Sequence, residues 1–165
     1  MFNIPEKKFT AIELDFEIPT APGFCHIQNE LYLAGGSLYP QFYNDFRRIN
    51  ALGKAVTLKS LATGKSSFPM TNWERQNSVI TIGGKLLHNK NLNKVQQFMI
   101  AKSEWKALAS LSQKIAGSSA TFLNDVLYSI GGDGSTSSVC WLDLLNEKAK
   151  WSLAKTLGQS DFSDY

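Results

Sequence analysis

Three segments of this 165-residue chain end in Gly-Gly at a fixed spacing: Leu31 to Gly36, Val79 to Gly84 and Leu127 to Gly132. The first glycine of each pair, at 35, 83 and 131, recurs every 48 residues without drift. A period of this size belongs to solenoids and propellers, in which each repeat is one supersecondary unit stacked on its neighbours. The columns around the glycines agree in character. Leu31, Val79 and Leu127 share one apolar column, and Ala34, Ile82 and Ile130 share another. Upstream stand the polar pairs Gln28-Asn29, Gln76-Asn77 and Asn124-Asp125, which suit tight turns. Before each pair an extended run is expected, over 23–27, 67–71 and 117–123. The unit therefore opens as strand, turn, strand, Gly-Gly. The strands before Gly-Gly are nearly apolar throughout, which implies burial on both faces.

Third strands are expected over 42–49, 95–100 and 139–145. A fourth is led by Trp105 and by Trp151, with its counterpart in the first copy near Val56 and no tryptophan there. Four strands per unit, with Gly-Gly after the second and an aromatic opening the fourth, resemble the kelch repeat of β-propellers. The resemblance covers residues 1 to 155. It implies an all-β fold of kelch-type blades, each a four-stranded antiparallel sheet, in an incomplete ring or a fragment. Blades are expected over 22–60, 67–109 and 116–155, preceded by a half-blade over 1–14 in which Phe9 takes the tryptophan place. In this reading Gly35, Gly36, Gly83, Gly84, Gly131, Gly132, Trp105 and Trp151 are structural repeat residues. About three and a half repeats leave open sheet faces. The chain thus reads as half of a ring closed by a second copy, as a subunit covered by other proteins in a large assembly, or as part of a longer chain.

Charge is unevenly placed. Residues 1–46 carry −4, residues 47–114 carry +10 and residues 115–165 carry −3. The basic middle repeat favours an acidic partner by long-range attraction, or is simply a solvated lysine-rich surface. RNA-binding signatures are missing, and nucleic acid is not the expected partner. No apolar run is long enough for a membrane helix. The first residues do not read as a secretory signal, and Cys25 and Cys140 are two widely separated cysteines. A cytoplasmic protein without cofactor or metal is the expectation.

Chemistry-bearing motifs are few. His26 follows Cys25 on an expected strand, so the two point to opposite faces, and His26 reads as a core or channel residue. The Gly131 to Ser135 segment lacks the spacing of a phosphate loop, and no serine triad or metal set emerges. Trp73 falls near a turn and reads as exposed. No catalytic residue is assigned. The kelch resemblance implies that the loops after strand two, 37–44, 85–93 and 133–138, share one end with the inter-blade connections and bind proteins there. Tyr39, Phe42 and Tyr43 would anchor a partner, while Lys85, His88, Lys90 and Lys94 would present positive charge. The alternatives are a kelch-propeller enzyme, such as a metal-dependent oxidase with its site on other blades, and a structural subunit.

Overall fold

The structure is a computed structural model that describes residues 11–133, 139–146 and 148–154, with the backbone alone of 2–3 and 8–9. It is all-β. A short hairpin comes first, β1 (Phe2–Asn3) with β2 (Lys8–Phe9). Strands β3 (Gly23–Ile27) and β4 (Glu30–Ala34) follow, then a small hairpin of β5 (Ser37–Leu38) and β6 (Gln41–Phe42), then β7 (Phe46–Ile49) and β8 (Ala55–Thr57). The second unit repeats the plan with β9 (Met70–Trp73), β10 (Ser78–Ile82), the small hairpin β11 (Lys85–Leu86) and β12 (Lys90–Asn91), β13 (Val95–Met99) and β14 (Glu104–Ala107). The third contains β15 (Ser119–Leu123), β16 (Val126–Ile130), β17 (Val139–Asp143) and β18 (Ser152–Leu153). The sheets run β3-β4-β7-β8, β9-β10-β13-β14 and β15-β16-β17-β18, each an antiparallel meander. They are the three blades.

Local chemistry sets the turns. Gln28 and Asn29 both have positive φ, at 49° and 64°, as do Asn124 and Asp125, at 49° and 63°. Paired left-handed residues match the twist of two-residue hairpins, and Asn and Asp adopt them at little cost. The middle turn is longer: a 3-10 turn at Glu74–Gln76 ends on left-handed Asn77.

Gly-Gly is a junction of three segments. The Gly83 N–H donates to the Lys94 carbonyl at 2.8 Å, and the Gly84 N–H to the Ile115 carbonyl at 2.9 Å. In the first blade, Gly35 donates to Asp45 and Gly36 to Lys65, at 2.9 and 2.8 Å. The first glycine thus ties strand two to the start of strand three, and the second ties it to the connection entering the next blade. A side chain is excluded twice over. Gly84 has a φ of 110°, and a Cβ there would lie 2.9 Å from Phe68 Cβ.

The cores lie between blades. Cys25, Ile27, Tyr32, Ala34 and Phe46 of blade 1 meet Phe68, Met70, Val79 and Phe98. Phe46 and Phe98 pack edge to face, with ring centroids 4.8 Å apart. On the other side of blade 2, Trp73, Ile80, Ile82 and Val95 meet Phe122 and Leu127 of blade 3. Val79 and Ile80 therefore point into different cores, and all five residues of β10 are buried. Among the second strands only this middle one is buried along its whole length, because only blade 2 has a blade on each side among the described residues.

Both blade tryptophans bridge blades. Trp105 Nε1 donates to the Lys59 carbonyl, and Trp151 Nε1 to the Ala109 carbonyl, each at 2.7 Å. Each indole binds the connection leaving the preceding blade, as the inter-blade packing reading expects. The β1–β2 hairpin pairs Phe2 with Phe9, as β13–β14 pairs Phe98 with Trp105. Both positions are shifted by 96 residues, two periods of 48, so the hairpin has the register of an outer strand pair. The expected Phe9 packing lies outside the described residues.

Several boundaries move. Strand one of blade 2 begins at Met70, not at 67, because Ser66 is held in a two-way backbone bridge to Lys85. Strand three of blade 1 begins at Phe46, not at 42, because Gln41–Phe42 pairs back on Ser37–Leu38.

Candidate functional site

The loops after strand two and the inter-blade connections come together on one end. Thr20 bridges Ser37, Ser66 bridges Lys85, and Ala116 bridges Asp133. Each is a connection residue paired to the residue just past a Gly-Gly, so the starts of the three loops stand side by side along the arc. In the first two blades these loops rise as the small hairpins β5–β6 and β11–β12. Two side-chain clamps stiffen the same end. The Asn44 amide donates to the Leu61 carbonyl and the Asn93 amide to the Leu111 carbonyl, both at 3.1 Å.

The sequence-expected residues divide into displayed and structural groups. Tyr39 sits at the tip of its hairpin, 94% exposed. Phe42 and Tyr43 are half-buried. Tyr43 donates its hydroxyl to Gln41 Oε1 at 3.2 Å and helps line a cavity of about 170 Å³ with Phe16, Pro19, Leu38 and Arg47. The Arg47 guanidinium lies 4.2 Å from the centre of the Phe16 ring. Lys90 and Lys94 are solvent-facing or nearly so, and His88 is an exposed turn residue with φ of 61°. Lys85 is not a free cation: its Nζ pairs with Asp133 Oδ2 at 3.0 Å. The expected third loop over 133–138 is described only at Asp133.

Beneath this end lies a group that sequence reading counted merely as surface charge. Lys65 is 2% exposed. Its Nζ donates to Thr81 Oγ1 at 3.1 Å and to the Gly83 carbonyl at 3.2 Å, and it lies 4.4 Å from the centre of the Phe68 ring. Burial first, and the Lys94 charge second, push its amine down to about 7. The correspondence that marks this lysine appears only in the backbone bonds of the structure. The Lys65 carbonyl serves Gly36 as the Ile115 carbonyl serves Gly84, so a lysine stands where the next junction has an isoleucine.

Other expectations are corrected. Trp73 is buried, stacks on Phe122 with ring planes 6° apart, and donates Nε1 to Asp125 Oδ1 at 2.8 Å. Arg75 Nη1 reaches Asp125 Oδ2 at 2.9 Å. These donors, the indole first, hold the Asp125 carboxyl below the usual carboxylate range. The group ties the strand-one turns of blades 2 and 3 at the opposite end, beside a polar cleft of about 420 Å³ lined by Thr71, Asn72, Thr121 and Asn124. His26 is exposed rather than buried in a core, while its neighbour Cys25 is buried, as strand alternation requires. Burial pushes the Cys25 thiol up to about 12, which keeps it protonated and unreactive. Among the described residues no three His, Cys, Asp or Glu side chains group as metal ligands. Nor is any described helix long and apolar enough to cross a membrane.

Stacked four-stranded antiparallel sheets, joined through Gly-Gly and left open at the ends of the described arc, define an incomplete β-propeller. No family model and no curated protein matches the sequence. Among solved structures, that of YjhT is similar, with a TM-score of 0.72 at 15% identity, covering 84% of this chain and 52% of that one. The chain thus spans about half the length of that structure, and the likeness is one of fold.

Proposed function

We propose that this chain is a kelch-type protein-interaction scaffold that binds an acidic protein partner through the end bearing the β5–β6 and β11–β12 hairpins. The observation that carries the reading is their adjacency: an aromatic tip at Tyr39 and a basic hairpin with Lys90 lie on neighbouring blades at one end. A nearly fully exposed tyrosine is a rigid amphipathic anchor in search of a surface. The lysines hasten the approach of a negative partner and weaken in effect as salt rises. Lys90 and Lys94 carry this role, since Asp133 already neutralises Lys85. Phe42 and Tyr43 hold the aromatic hairpin from below. The two free cysteines, one buried and one half-buried, suit the reducing cytoplasm.

A photo-crosslinking residue at position 39 captures the partner, and affinity is then measured on the purified pair. Tyr39→Ala is expected to weaken binding about tenfold or more, as for an interface anchor. Lys90→Glu with Lys94→Glu is expected to slow association at low salt, with a smaller difference at high salt. Unchanged binding in both variants refutes the reading.

A further inference from the structure

The face that blade 2 turns toward blade 3 is apolar around Ile80, Ile82 and Val95, which share a core with Leu127. Farther out its character changes. The cross-strand partner of Ile80 in β13 is Gln97, and the partner of Gln97 in β14 is Lys106. Residues opposite one another in a sheet share a face, so Gln97 and Lys106 both look toward blade 3. Gln97 is 5% exposed, and its Nε2 donates at 2.9 Å to Ser78 Oγ, itself fully buried. In blade 1, Tyr32 stands one period before Ile80, and its partner in β7 is Arg48. Arg48 is half-exposed and joined to Glu30 as an ion pair at 3.4 Å. Blade 2 therefore buries a neutral carboxamide where blade 1 keeps charge near water.

The bond to Ser78 uses one of the two N–H donors of that carboxamide. Gln97 also borders a cavity of about 540 Å³ between the outer halves of blades 2 and 3, where its second donor and its carbonyl oxygen can meet a ligand. Trp73, Leu142 and Leu144 give the cavity an apolar wall. Gln76 and Asn146 add two further carboxamides. Lys106 and Asp143 contribute one charge of each sign, so the lining is neutral as a whole. An apolar body with a few placed polar groups, at this size, is the ordinary form of a small-molecule site.

We propose that this cavity binds a small neutral molecule that joins an apolar ring to a carboxamide or lactam group. Such a group sets a C=O acceptor beside an N–H donor, which is the complement of the Gln97 side chain. The ring lies against Trp73, Leu142 and Leu144. An ion gains no net attraction from a neutral lining and loses hydration on entering. No residue of the β5–β6 or β11–β12 hairpin lines the cavity, so the site is separate from the end that binds a protein.

Benzamide is the probe, and benzoate is its charged counterpart of the same shape. Titration calorimetry on the full chain should give saturable benzamide binding with a Kd of about 1 mM or below, as for a small and efficient ligand. Benzoate should bind about tenfold more weakly. The Gln97 side-chain amide signal in a nuclear magnetic resonance titration should shift with benzamide, which places the ligand in the cavity. Gln97→Met keeps the length of the side chain and should weaken binding about tenfold. Gln76→Ala, on an exposed turn, should weaken it about threefold, and it decides the matter if Gln97→Met fails to fold. No saturable binding, benzoate binding as tight as benzamide, or unchanged affinity in the folded variants overturns the proposal. Tyr39→Ala should leave benzamide binding unchanged, which separates this test from that of partner binding.

Discussion

Replacing Lys65 with methionine should stabilise the protein at neutral pH and destabilise it at high pH. The amine is buried, and its pKa falls from the ordinary 10.5 to about 7. At about 1.4 kcal/mol per pKa unit, keeping it protonated in the fold costs about 5 kcal/mol. At pH 7, where it is half-protonated, the cost is about 4 kcal/mol. Methionine removes that cost and follows the aliphatic path of the lysine stem. It also removes the hydrogen bonds to Thr81 Oγ1 and the Gly83 carbonyl, worth about 1 kcal/mol each. Its sulfur retains an attraction for the Phe68 ring. The net gain at pH 7 is about 2 kcal/mol.

The sign follows from linkage. Between pH 7 and 10.5 the unfolded lysine holds a proton that the folded one has released, so wild-type stability rises with pH. Below pH 7 both states are protonated and this contribution is flat. The wild-type and Lys65→Met curves should therefore cross near pH 9, where the remaining ionisation cost is about 2 kcal/mol. Urea unfolding at pH 6, 7, 9 and 10 measures the difference. A variant less stable at pH 6 and 7, or a difference that does not change with pH, refutes the account of Lys65 as a buried, destabilising charge.

Gly84→Ala should lower stability by about 1–3 kcal/mol or more, because the backbone is strained for an L residue and Phe68 must move; thermal unfolding reads the loss directly. Asp125→Ala should lower the melting temperature by releasing the Trp73 indole and Arg75, and tryptophan fluorescence should shift as the stack on Phe122 loosens. Asp125 also gives a direction in acid. Its folded pKa lies below the ordinary 3.8, so its contribution is complete above that value and lost as pH falls through the folded one. An acid-unfolding curve of Asp125→Ala that superimposes on the wild type contradicts this role.

The second strands and the Gly-Gly junctions were legible because their causes are local: apolar runs, turn residues and glycines at one spacing. Strand one of blade 2 was read three residues early because Ser66 is claimed by Lys85, a partner 19 residues away. Trp73 was unreadable for the same kind of reason. Its burial depends on Phe122 and Asp125, about 50 residues on, and nothing beside it announces them. Lys65 was hidden by connections of unequal length: its counterpart Ile115 lies 50 residues away rather than 48, so the two do not align on the glycine period. At the candidate site, Tyr39 was found as an exposed aromatic, but the neutralisation of Lys85 by Asp133 required knowing that successive loops stand side by side.

The Gly-Gly junction also bears on how such a chain tolerates divergence. Its bonds run between main-chain N–H and C=O groups, which nearly every amino acid supplies. Mutation at Lys65 or Ile115 changes the side chain without deleting the carbonyl that the second glycine needs. Heredity therefore has few letters to guard at each joint, chiefly the two glycines, while the surrounding positions are free to drift. A lysine and an isoleucine serving the same joint in one molecule are such a divergence within a single gene product.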